Sequence, residues 1–394
     1  MNIGITGGCG FVGSNLAERF ANAGHSITAL DNLMREGSQL NLQRLKSCKN
    51  FKFVRADIRY KENLKILHRC DCILDCAAQT SVTEGEKELN FTFTNNISGL
   101  FNLLEIVRET RVPLVFCSTN KVYPSDRLNS LPRVEKEFRF EWDTSLNEIL
   151  NYTGLSVSTI SQGKRVAIGI NEDWPLGLGS RSIYGATKAC ADILCQEYKD
   201  AFRIPIFINR FSCIAGPWQF GKPAQGWYAW FIIAAYFGLP ITYYGWSGKQ
   251  VRDIVFIEDI YRLVEKQLLA ATNGRSTGGV YNVGGGIHNT LSPREHIENI
   301  ITAGLKPFVR DYTGEQRRSD HVIYISDIRK VQEEFNWSPN TDINTGFEEC
   351  LRWVSENSTK LKQIFTTDHL NIHRSLSFNN HIRGKDKKSY RNKP

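Results

Sequence analysis

The sequence has no long apolar segment and no Cys-x-x-Cys pair. Its longest apolar stretch, Trp227 to Phe237, is far shorter than the ~20 residues that a membrane-spanning helix needs. The first residues show neither the basic nor the apolar segment of a secretory signal peptide. The ten cysteines form no zinc-binding spacing with histidines, so we expect reduced thiols and no metal site. These absences predict a soluble, cytoplasmic protein without membrane insertion.

The composition is that of a globular protein. The chain has 394 residues, enough for two to four domains, and its 41% hydrophobic and 23% charged residues exclude a disordered or fibrous chain. The formal net charge is +8, but residues 380–394 hold six basic side chains and one acid and therefore carry +5 of it. Because most of the excess charge lies in this short tail, we expect no nucleic-acid partner.

Short apolar strands alternate with helix-like segments through the first 120 residues. Such alternation is typical of βαβ units, which build a parallel sheet covered by helices on both faces. The pattern predicts an α/β fold with a Rossmann-type, doubly wound parallel sheet. The predicted strands are residues 2–6, 26–30, 51–55, 72–76, 113–117, 204–210 and 280–283, and the helical spacers are 11–23, 61–68 and 90–110.

A glycine-rich segment follows the first predicted strand and precedes a helix. It contains Gly8-x-Gly10-x-x-Gly13, the spacing of the dinucleotide fingerprint, and a related spacing that starts at Gly7. Small residues let the backbone approach a pyrophosphate, and the start of a helix offers free N–H groups. We predict that NAD is bound here by Gly7, Gly10, Phe11, Val12 and Gly13.

Asp31 ends the second predicted strand, 18 residues after Gly13. A carboxylate there would accept a hydrogen bond from the adenosine ribose 2′-OH and would repel a 2′-phosphate, which favours NAD over NADP. Arg35 nearby leaves NADP as an alternative, and Asp31 could also be an ordinary turn residue. Further cofactor contacts are expected from the residues that follow neighbouring strands: Asn32, Asp57, Ile58, Ala77, Ala78 and Gln79.

Tyr184 and Lys188 are four residues apart, which places them on one face of a helix. A tyrosine with the reference pKa of about 10 is a poor base at neutral pH. A nearby lysine cation and the positive nicotinamide favour the phenolate, which can then accept a sugar hydroxyl proton as hydride leaves. The pair predicts a dehydrogenase-type catalytic site.

With these motifs, residues 2–355 resemble the extended short-chain dehydrogenase/reductase family of nucleotide-sugar epimerases and dehydratases. The resemblance implies an NAD-dependent enzyme, usually a homodimer, in which Thr119 is the third catalytic residue and Asn96 and Ser118 join Tyr184 and Lys188 at the cofactor. The other motifs that carry it are Asn96-Ile97-x-Gly99, Ser118-Thr119 with Val122-Tyr123, and Arg210 with Gly216-Pro217.

The two residues after Thr119 discriminate between reactions of this family. The family's 4,6-dehydratases have Asp-Glu there, an acid and a base for the elimination of water. This chain has Asn120-Lys121, which cannot supply that pair of carboxylates. Dehydration is therefore disfavoured, and a reversible oxidation and reduction at one carbon is expected.

Longer motifs are similar to those of the CDP-paratose 2-epimerase group, among them Thr119 to Tyr123 and Gly248 to Asp253. This resemblance implies epimerisation at C2 of a CDP-linked dideoxyhexose through a transient ketone. It also implies that Arg252 and Arg317 pair with the substrate diphosphate, for which guanidinium groups are well suited. The full set of expected substrate contacts is Thr119, Asn120, Lys121, Gln219, Gln225, Arg252, Arg317 and Asp320.

Other interpretations remain open at this point. The same fold could serve a 4-epimerase or a reductase, and a non-catalytic NAD-sensing regulator is an alternative of a different class. Arg252 and Arg317 could form structural ion pairs. The aromatic residues Trp227, Tyr228, Trp230 and Phe231 could stack on a base or sugar, but an aromatic helix of this density is more often core or dimer contact.

The predicted organisation is a cofactor domain with a smaller, mostly C-terminal α/β lobe for the substrate. The cofactor domain spans residues 1–215, and 247–284 return to it. Residues 216–246 and 285–355 form the lobe, and 356–394 form a basic, flexible tail. Residues 124–180 read as a polar, loop-rich insert, and a dimer is expected to pair through 90–110 and 181–201.

Overall fold

The structure is a computed structural model that describes residues 1–159, 165–223, 225–310, 317 and 319–365. Its strands in chain order are β1 Asn2–Thr6, β2 Ser26–Asp31, β3 Phe51–Arg55, β4 Cys72–Asp75, β5 Leu114–Thr119, β6 Arg133–Glu135, β7 Phe140–Trp142, β8 Leu155–Thr159, β9 Arg165–Ile170, β10 Ile206–Phe211, β11 Cys213–Ala215, β12 Pro240–Thr242, β13 Val251–Phe256, β14 Val280–Val283, β15 Thr290–Leu291, β16 Phe308–Arg310 and β17 Ile323–Tyr324.

The helices cover the sheets and join their strands. They are α1 Phe11–Asn22, α2 Ser38–Leu45, α3 Val82–Lys87, α4 Leu89–Phe93, α5 Gly99–Thr110, α6 Ser125–Asn129, α7 Ile183–Phe202, α8 Trp227–Phe237, α9 Ile257–Thr272, α10 Pro293–Thr302, α11 Arg329–Phe335 and α12 Ile343–Glu356. A π-helical segment, Thr94–Ser98, joins α4 to α5. A 3₁₀ segment, Lys61–Arg69, lies where the helical spacer 61–68 was predicted.

Seven parallel strands form the central sheet in the order β14–β10–β5–β4–β1–β2–β3. The order reverses direction at β1, with successive strands running one way through β2 and β3 and the other way through β4 and β5, as in doubly wound folds. All seven predicted strands are present with small shifts at their ends, so the predicted Rossmann-type α/β fold is confirmed. Apolar residues of these strands pack against α1 and α9 on one face and against α5 and α7 on the other.

The second part of the molecule packs around β13. This strand pairs with β11, β15 and β17, and its Ile254 and Phe256 side chains pack in one core with α8, α10 and α12. Helix α8 carries the aromatic cluster of the sequence, and Tyr228, Trp230 and Phe231 are buried in this core. For these three side chains the core interpretation is confirmed.

The segment from 124 to 180 is more ordered than a polar loop. It forms two antiparallel hairpins, β6–β7 and β8–β9, around a small apolar core that includes Trp142, Ile149 and Trp174. The Asn129 side chain donates to the carbonyl of Asp320 (2.9 Å) and accepts from the amide of Val322 (2.8 Å). The insert therefore holds the chain segment that contains Asp320.

The predicted tail boundary at residue 356 is wrong. Residues 358–365 are helical, and Leu361 and Phe365 are buried against the α8 core. Residues 358–365 are too few for their apolar periodicity to indicate a helix from the sequence alone, because the core that covers them is supplied by other segments. The rest of the predicted tail, 366–394, lies outside the described residues.

In the described part of the chain, no helix is long and apolar enough to cross a membrane. The cytoplasmic location expected from the sequence stays a prediction.

The burial of residues 358–365 can be tested through stability. Leu361→Ala should lower the free energy of unfolding by about 2–5 kcal/mol, because it removes a buried side chain from a packed core. Lys360→Ala, at the neighbouring exposed position, should change it by less than about 0.5 kcal/mol. Urea unfolding measures both variants, and equal unfolding midpoints for the two would contradict the assignment of this segment to the lobe.

Candidate active site

A cleft of about 860 Å³ opens at the carboxyl edge of the central sheet. One wall comes from the loops after β1, β2, β3 and β4, and the other from the α8 and β13 side of the molecule. Ligands of doubly wound sheets bind outside the carboxyl ends of the strands, at the point where the strand order reverses. That point, between β1 and β4, lies on the floor of this cleft.

The loop after β1 presents bare backbone to the cleft. Gly7 has a φ of +62°, and a Cβ on it would lie 2.7 Å from the carbonyl oxygen of Cys76 and 2.8 Å from the amide of Ala77. A Cβ on Gly13 would collide with the carbonyl oxygen of Gly7. Helix α1 then begins at Phe11 with its first N–H groups directed toward the cleft. The predicted residues Gly7, Gly10, Phe11, Val12 and Gly13 all line the cleft.

Asp31 lies at the end of β2, and its carboxylate fixes the glycine-rich loop. The oxygens accept from the amides of Cys9 (2.9 Å) and Leu33 (2.7 Å). Burial raises the pKa of Asp31, and the hydrogen bonds from Leu33, Cys9 and Gly10 partly offset that rise. Asp31 lines the cleft, so its carboxylate is both a loop anchor and a possible ligand group.

Asp57, after β3, forms a second polar edge of the cleft together with Asn32. Arg59 donates to both carboxylate oxygens (2.9 and 2.8 Å), and Asn32 Nδ2 donates at 3.1 Å. Burial acts to raise the pKa of Asp57, but these donors outweigh it and the pKa is lowered. Asn32, Asp57 and Ile58, which are predicted cofactor residues, all line the cleft.

Arg35 points away from Asp31 and across the cleft. Its guanidinium donates to Gln225 Oε1 and, at 3.4 Å, to Thr80 Oγ1, while Gln225 Nε2 also donates to Thr80 Oγ1. A cation that binds the 2′-phosphate of NADP would have to lie beside Asp31. The Arg35 guanidinium instead donates to Gln225 and Thr80. The bridge instead ties the loop after β2 to the loop before α8.

Two predicted cofactor residues act behind the cleft surface. Asn96 accepts from the amide of Gln79 (2.8 Å) and donates to its carbonyl (3.0 Å) and to Thr187 Oγ1 (3.0 Å). It therefore positions Gln79, which lines the cleft with Ala77 and Ala78.

Ser118 does not face the cleft either. It is buried, and its hydroxyl donates to Asp192 Oδ2 (2.7 Å). Arg210 donates to the same carboxylate from Nε (3.0 Å) and Nη2 (2.9 Å), and Gln196 donates at 2.9 Å. The Ser118 hydroxyl is therefore engaged in this network, and a direct contact between Ser118 and the cofactor stays a prediction.

Tyr184 and Thr119 meet at the floor of the cleft. Burial raises the pKa of Tyr184 to about 12, although a side-chain hydrogen bond with Thr119 acts to lower it. Lys188 is buried one turn further along α7, with its Nζ 3.9 Å from the centre of the Phe116 ring. Burial lowers the pKa of Lys188, and the charge of Asp75 opposes this change. In this structure Lys188 is directed toward Asp75 and Phe116, below the cleft surface.

Three cations and one carboxylate form a charged group in the lining of the cleft. Asp320 Oδ1 accepts from Lys121 Nζ (2.6 Å) and Arg252 Nη2 (2.7 Å). Burial acts to raise the pKa of Asp320, but the charges of Lys121 and Arg252 outweigh it and hold the pKa well below its usual range. Arg317 stacks over the Tyr244 ring, with 3.7 Å between the guanidinium carbon and the ring centre.

All eight predicted substrate residues line this cleft. Gln219 and Gln225 approach it from the loop before α8, where Gln219 donates to the carbonyl of Ile214 (3.1 Å). Arg252 satisfies both interpretations of the sequence, because it is ion-paired and lines the cleft. Of the aromatic residues on α8, Trp227 and Phe231 reach the cleft wall.

Sequence reasoning missed several residues that organise the site. Asp75 accepts from Thr6 Oγ1 and faces Lys188, and Asp192 holds Ser118 and Arg210. Asp192 lies four residues after Lys188 and therefore on the same face of α7. This spacing could have predicted from the sequence that Asp192 lies near the site. The contact between Arg35, Thr80 and Gln225 joins residues up to 190 positions apart, so no local pattern could reveal it.

Comparison with known proteins defines the class to which this site belongs. The model of the NAD dependent epimerase/dehydratase family matches residues 3–140 and 154–284, and the chain belongs to that family. It is 31% identical to the CDP-paratose 2-epimerase of Salmonella typhi over 90% of this chain and 99% of the relative. It is 26% identical to the UDP-glucuronate 4-epimerase of Thermodesulfobacterium geofontis, over 91% and 98%.

A solved structure gives the same result for the fold. The dTDP-glucose 4,6-dehydratase of Bacillus anthracis, in complex with NAD, superposes with a TM-score of 0.69 at 25% identity, over 92% of this chain and 99% of that one. The protein is therefore an NAD-dependent enzyme of the epimerase class. The residues present fit the cofactor, since a Cβ on Gly7 or Gly13 would collide with neighbouring backbone, and both glycines keep this close-packed loop bare where it lines the cleft.

The network around Asp192 can be tested separately from cofactor binding. Ser118→Ala should lower the free energy of unfolding by about 1–3 kcal/mol, because it removes a buried hydrogen bond to a charged group. Its NAD affinity should change by less than about twofold, or about 0.4 kcal/mol. Asp192→Asn should destabilise by about 3–5 kcal/mol, because Arg210 is then buried without its counter-charge.

Urea unfolding and equilibrium dialysis with NAD measure the two effects independently. A tenfold loss of NAD affinity in a fully folded Ser118→Ala enzyme would contradict the contact with Asp192 as the main role of this hydroxyl.

Proposed function

We propose that this enzyme epimerises C2 of a CDP-linked dideoxyhexose through a transient ketone. The observation that carries the proposal is the pair Asn120-Lys121 in the cleft, with Lys121 Nζ 2.6 Å from Asp320. An amide and an ion-paired ammonium cannot act as the acid and base that eliminate water. The similarity to the CDP-paratose 2-epimerase of Salmonella typhi supports C2 as the reacting carbon and CDP as the carrier.

Tyr184 and Thr119 are the proposed catalytic residues for the substrate hydroxyl. Both line the cleft, and Thr119 acts to lower the pKa of Tyr184, which supports a shared role at one oxygen. Tyr184 takes the hydroxyl proton when the carbon is oxidised and returns it when the ketone is reduced. Thr119 orients that oxygen. NAD, when bound, supplies reversible hydride acceptance at the carbon.

Lys188 is proposed to assist Tyr184 electrostatically. With the pKa of Tyr184 raised to about 12 by burial, the phenol is protonated at neutral pH in the chain as it stands. A cation moving toward the phenol from the Asp75 side would favour the phenolate. Lys188 is the proposed source of that charge. The presence of both Tyr184 and Lys188 argues against a non-catalytic NAD sensor.

The proposed cofactor contacts follow the cleft from Asp31 to Tyr184. Asp31 accepts from the adenosine ribose and Asp57 with Ile58 borders the adenine. The N–H groups at the start of α1 face the pyrophosphate, where the helix dipole favours negative charge. Ala77, Ala78 and Gln79 border the cofactor where it crosses β4.

The substrate diphosphate is proposed to lie against Lys121, Arg252 and Arg317. With Asp320 among them, these groups carry two net positive charges, which match the two negative charges of a diphosphate ester. Asp320 holds Lys121 and Arg252 in place before the substrate binds, which reduces the entropy cost of ordering them. Asn120, Gln219 and Gln225 complete the polar lining.

A panel of CDP-, UDP-, dTDP- and GDP-sugars tests the proposed reaction. The enzyme should convert CDP-paratose to its C2 epimer without net release of NADH, as measured by NMR of the product and absorbance at the NADH band. UDP-glucuronate should not be epimerised at C4, and dTDP-glucose should not lose water. Turnover of either of these, with CDP-paratose unchanged, would overturn the proposed C2 epimerisation of a CDP-linked sugar. Membership of the epimerase/dehydratase family would be unaffected.

Tyr184→Phe should lower kcat by about 10²–10⁴-fold, the range of a lost general base. NAD should remain bound, because the ring that borders the cofactor is retained. Tyr198→Phe is the matched control on the same helix, since Tyr198 donates to Glu105 (2.8 Å) away from the cleft. Steady-state kinetics and the NAD content of the purified variants give the answer, and normal turnover by Tyr184→Phe would rule out the mechanism.

We further propose that two copies pair through α5 and α7, within the residues 90–110 and 181–201 predicted from the family. Large apolar side chains are exposed on this side of the molecule, including Phe93 and Phe101 near α5 and Ile193 on α7. Exposed apolar side chains grouped on packed helices are typical of interaction sites.

Phe101→Glu should therefore give a monomer, because it buries a charge in the paired face. Phe308→Glu, at an equally exposed position on β16, is the control and should remain a dimer. Sedimentation velocity distinguishes the two forms. A dimer in both variants would contradict the proposed face.

A further inference from the structure

Two cysteines face each other beside the catalytic residues. Cys76 follows β4 directly, and Cys117 lies within β5, the neighbouring parallel strand. The register pairs Asp75 with Phe116, so the next position pairs Cys76 with Cys117. Their Sγ atoms are 3.7 Å apart.

The strand geometry permits a covalent bond between these sulfurs. Neighbouring strands lie about 4.8 Å apart, which is within the Cα separation of about 4.4–6.8 Å found across disulfides. An S–S bond is about 2.05 Å long, so the sulfurs must approach by less than 2 Å from their present separation. Rotation of the two side chains and a small movement at the end of β4 would supply this.

The position of the pair also gives an oxidant access. Cys76 is partly exposed and lines the cleft, whereas Cys70 and Cys72 are buried in the core. Cys117 stands two residues before Thr119 on the same strand. The pair therefore lies where the cleft floor meets the catalytic end of β5.

We propose that Cys76 and Cys117 form an oxidative modification site, at which a peroxide produces a reversible disulfide that stops turnover. Hydrogen peroxide oxidises the Cys76 thiol to a sulfenic acid and is itself reduced to one water molecule. The Cys117 sulfur then displaces the sulfenic oxygen, which leaves as a second water molecule. Both thiol protons leave with these waters, and the two electrons of the oxidation pass to the peroxide.

The disulfide acts on catalysis through Thr119 and Tyr184. Drawing the end of β5 toward β4 shifts Thr119, which lines the cleft together with Tyr184. Catalytic groups lose activity steeply when displaced by about 1 Å, by about 10²-fold. We expect at least a tenfold loss of kcat in the oxidised enzyme, with full recovery after reduction by dithiothreitol.

Oxidation of Cys76 by peroxide should be slow at neutral pH. The hydrogen bond with Cys117 and burial raise the pKa of Cys76, with Asp75 acting in the same direction and Lys188 opposing it. The thiolate is the reactive form, so oxidation should accelerate as the pH rises.

The test uses the NAD-loaded enzyme treated with hydrogen peroxide, followed by alkylation of free thiols and trypsin digestion. Residues 112–121 form a tryptic peptide with Cys117 as its one cysteine, and 70–87 form the peptide with Cys70, Cys72 and Cys76. A cross-linked peptide 2 Da lighter than the sum of its parts, with fragment ions that place the bond at Cys76, is the expected product. Kinetics before and after dithiothreitol complete the measurement.

Two variants sharpen the result. Cys117→Ser should abolish the cross-link and the peroxide sensitivity, whereas Cys190→Ser, which removes the exposed thiol of α7, should change neither. Overoxidised single cysteines without a cross-link, or a cross-linked enzyme with unchanged kcat, would overturn the proposal. The mass measurement does not depend on the proposed epimerase activity, so a failure of that activity is distinguishable from a failure of this site. If Cys117→Ser does not fold, the mass measurement on the wild-type enzyme alone shows whether the disulfide forms.

Discussion

The catalytic arrangement depends on a buried carboxylate, that of Asp192. Its two oxygens accept from Arg210 on β10 and from Ser118 on β5, so one group joins α7 to two strands of the central sheet. Lys188 and Tyr184 lie on the same helix, about one and two turns before Asp192 respectively. A buried charge of this kind is stable only with its partners in place, so the orientation of α7 relative to Thr119 is fixed as part of the fold.

The cleft separates two kinds of electrostatic environment. At the Tyr184 end, burial raises the pKa of the phenol and lowers that of Lys188, so both groups tend toward their neutral forms. At the Asp320 end, an ionised carboxylate holds two cations within hydrogen-bond distance. The groups proposed for proton transfer and those proposed for anion binding therefore line one cavity, as a nucleotide-linked sugar requires.

Much of the fold could be predicted from the sequence because its signals are local. The strand from Asn2 to Thr6, the glycine-rich turn and Asp31 follow one another within about 30 residues, and the structure has them within one residue of their predicted bounds. The apolar character of each strand reports burial on both faces without any knowledge of its neighbours.

The parts that could not be predicted depend on contacts between distant segments. The partner of Ser118 is 74 residues away, and Arg35 meets Gln225 across 190 residues. The helix at 358–365 and the hairpins of residues 124–180 are each stabilised by a core that other segments supply. Local periodicity carries no information on such packing. The residues predicted to contact the substrate line the cleft, but the buried hydrogen bonds that hold Asn96 and Ser118 could not be predicted.

The central claim is that one carbon of the sugar is oxidised and reduced within the same cleft. The most direct measurement uses CDP-paratose that carries deuterium at C2, with the reaction run in unlabelled water. The account predicts that the epimeric product retains the deuterium at C2, because the hydride that leaves is the one that returns. Replacement of that deuterium by solvent hydrogen would contradict it and would indicate proton abstraction from carbon instead.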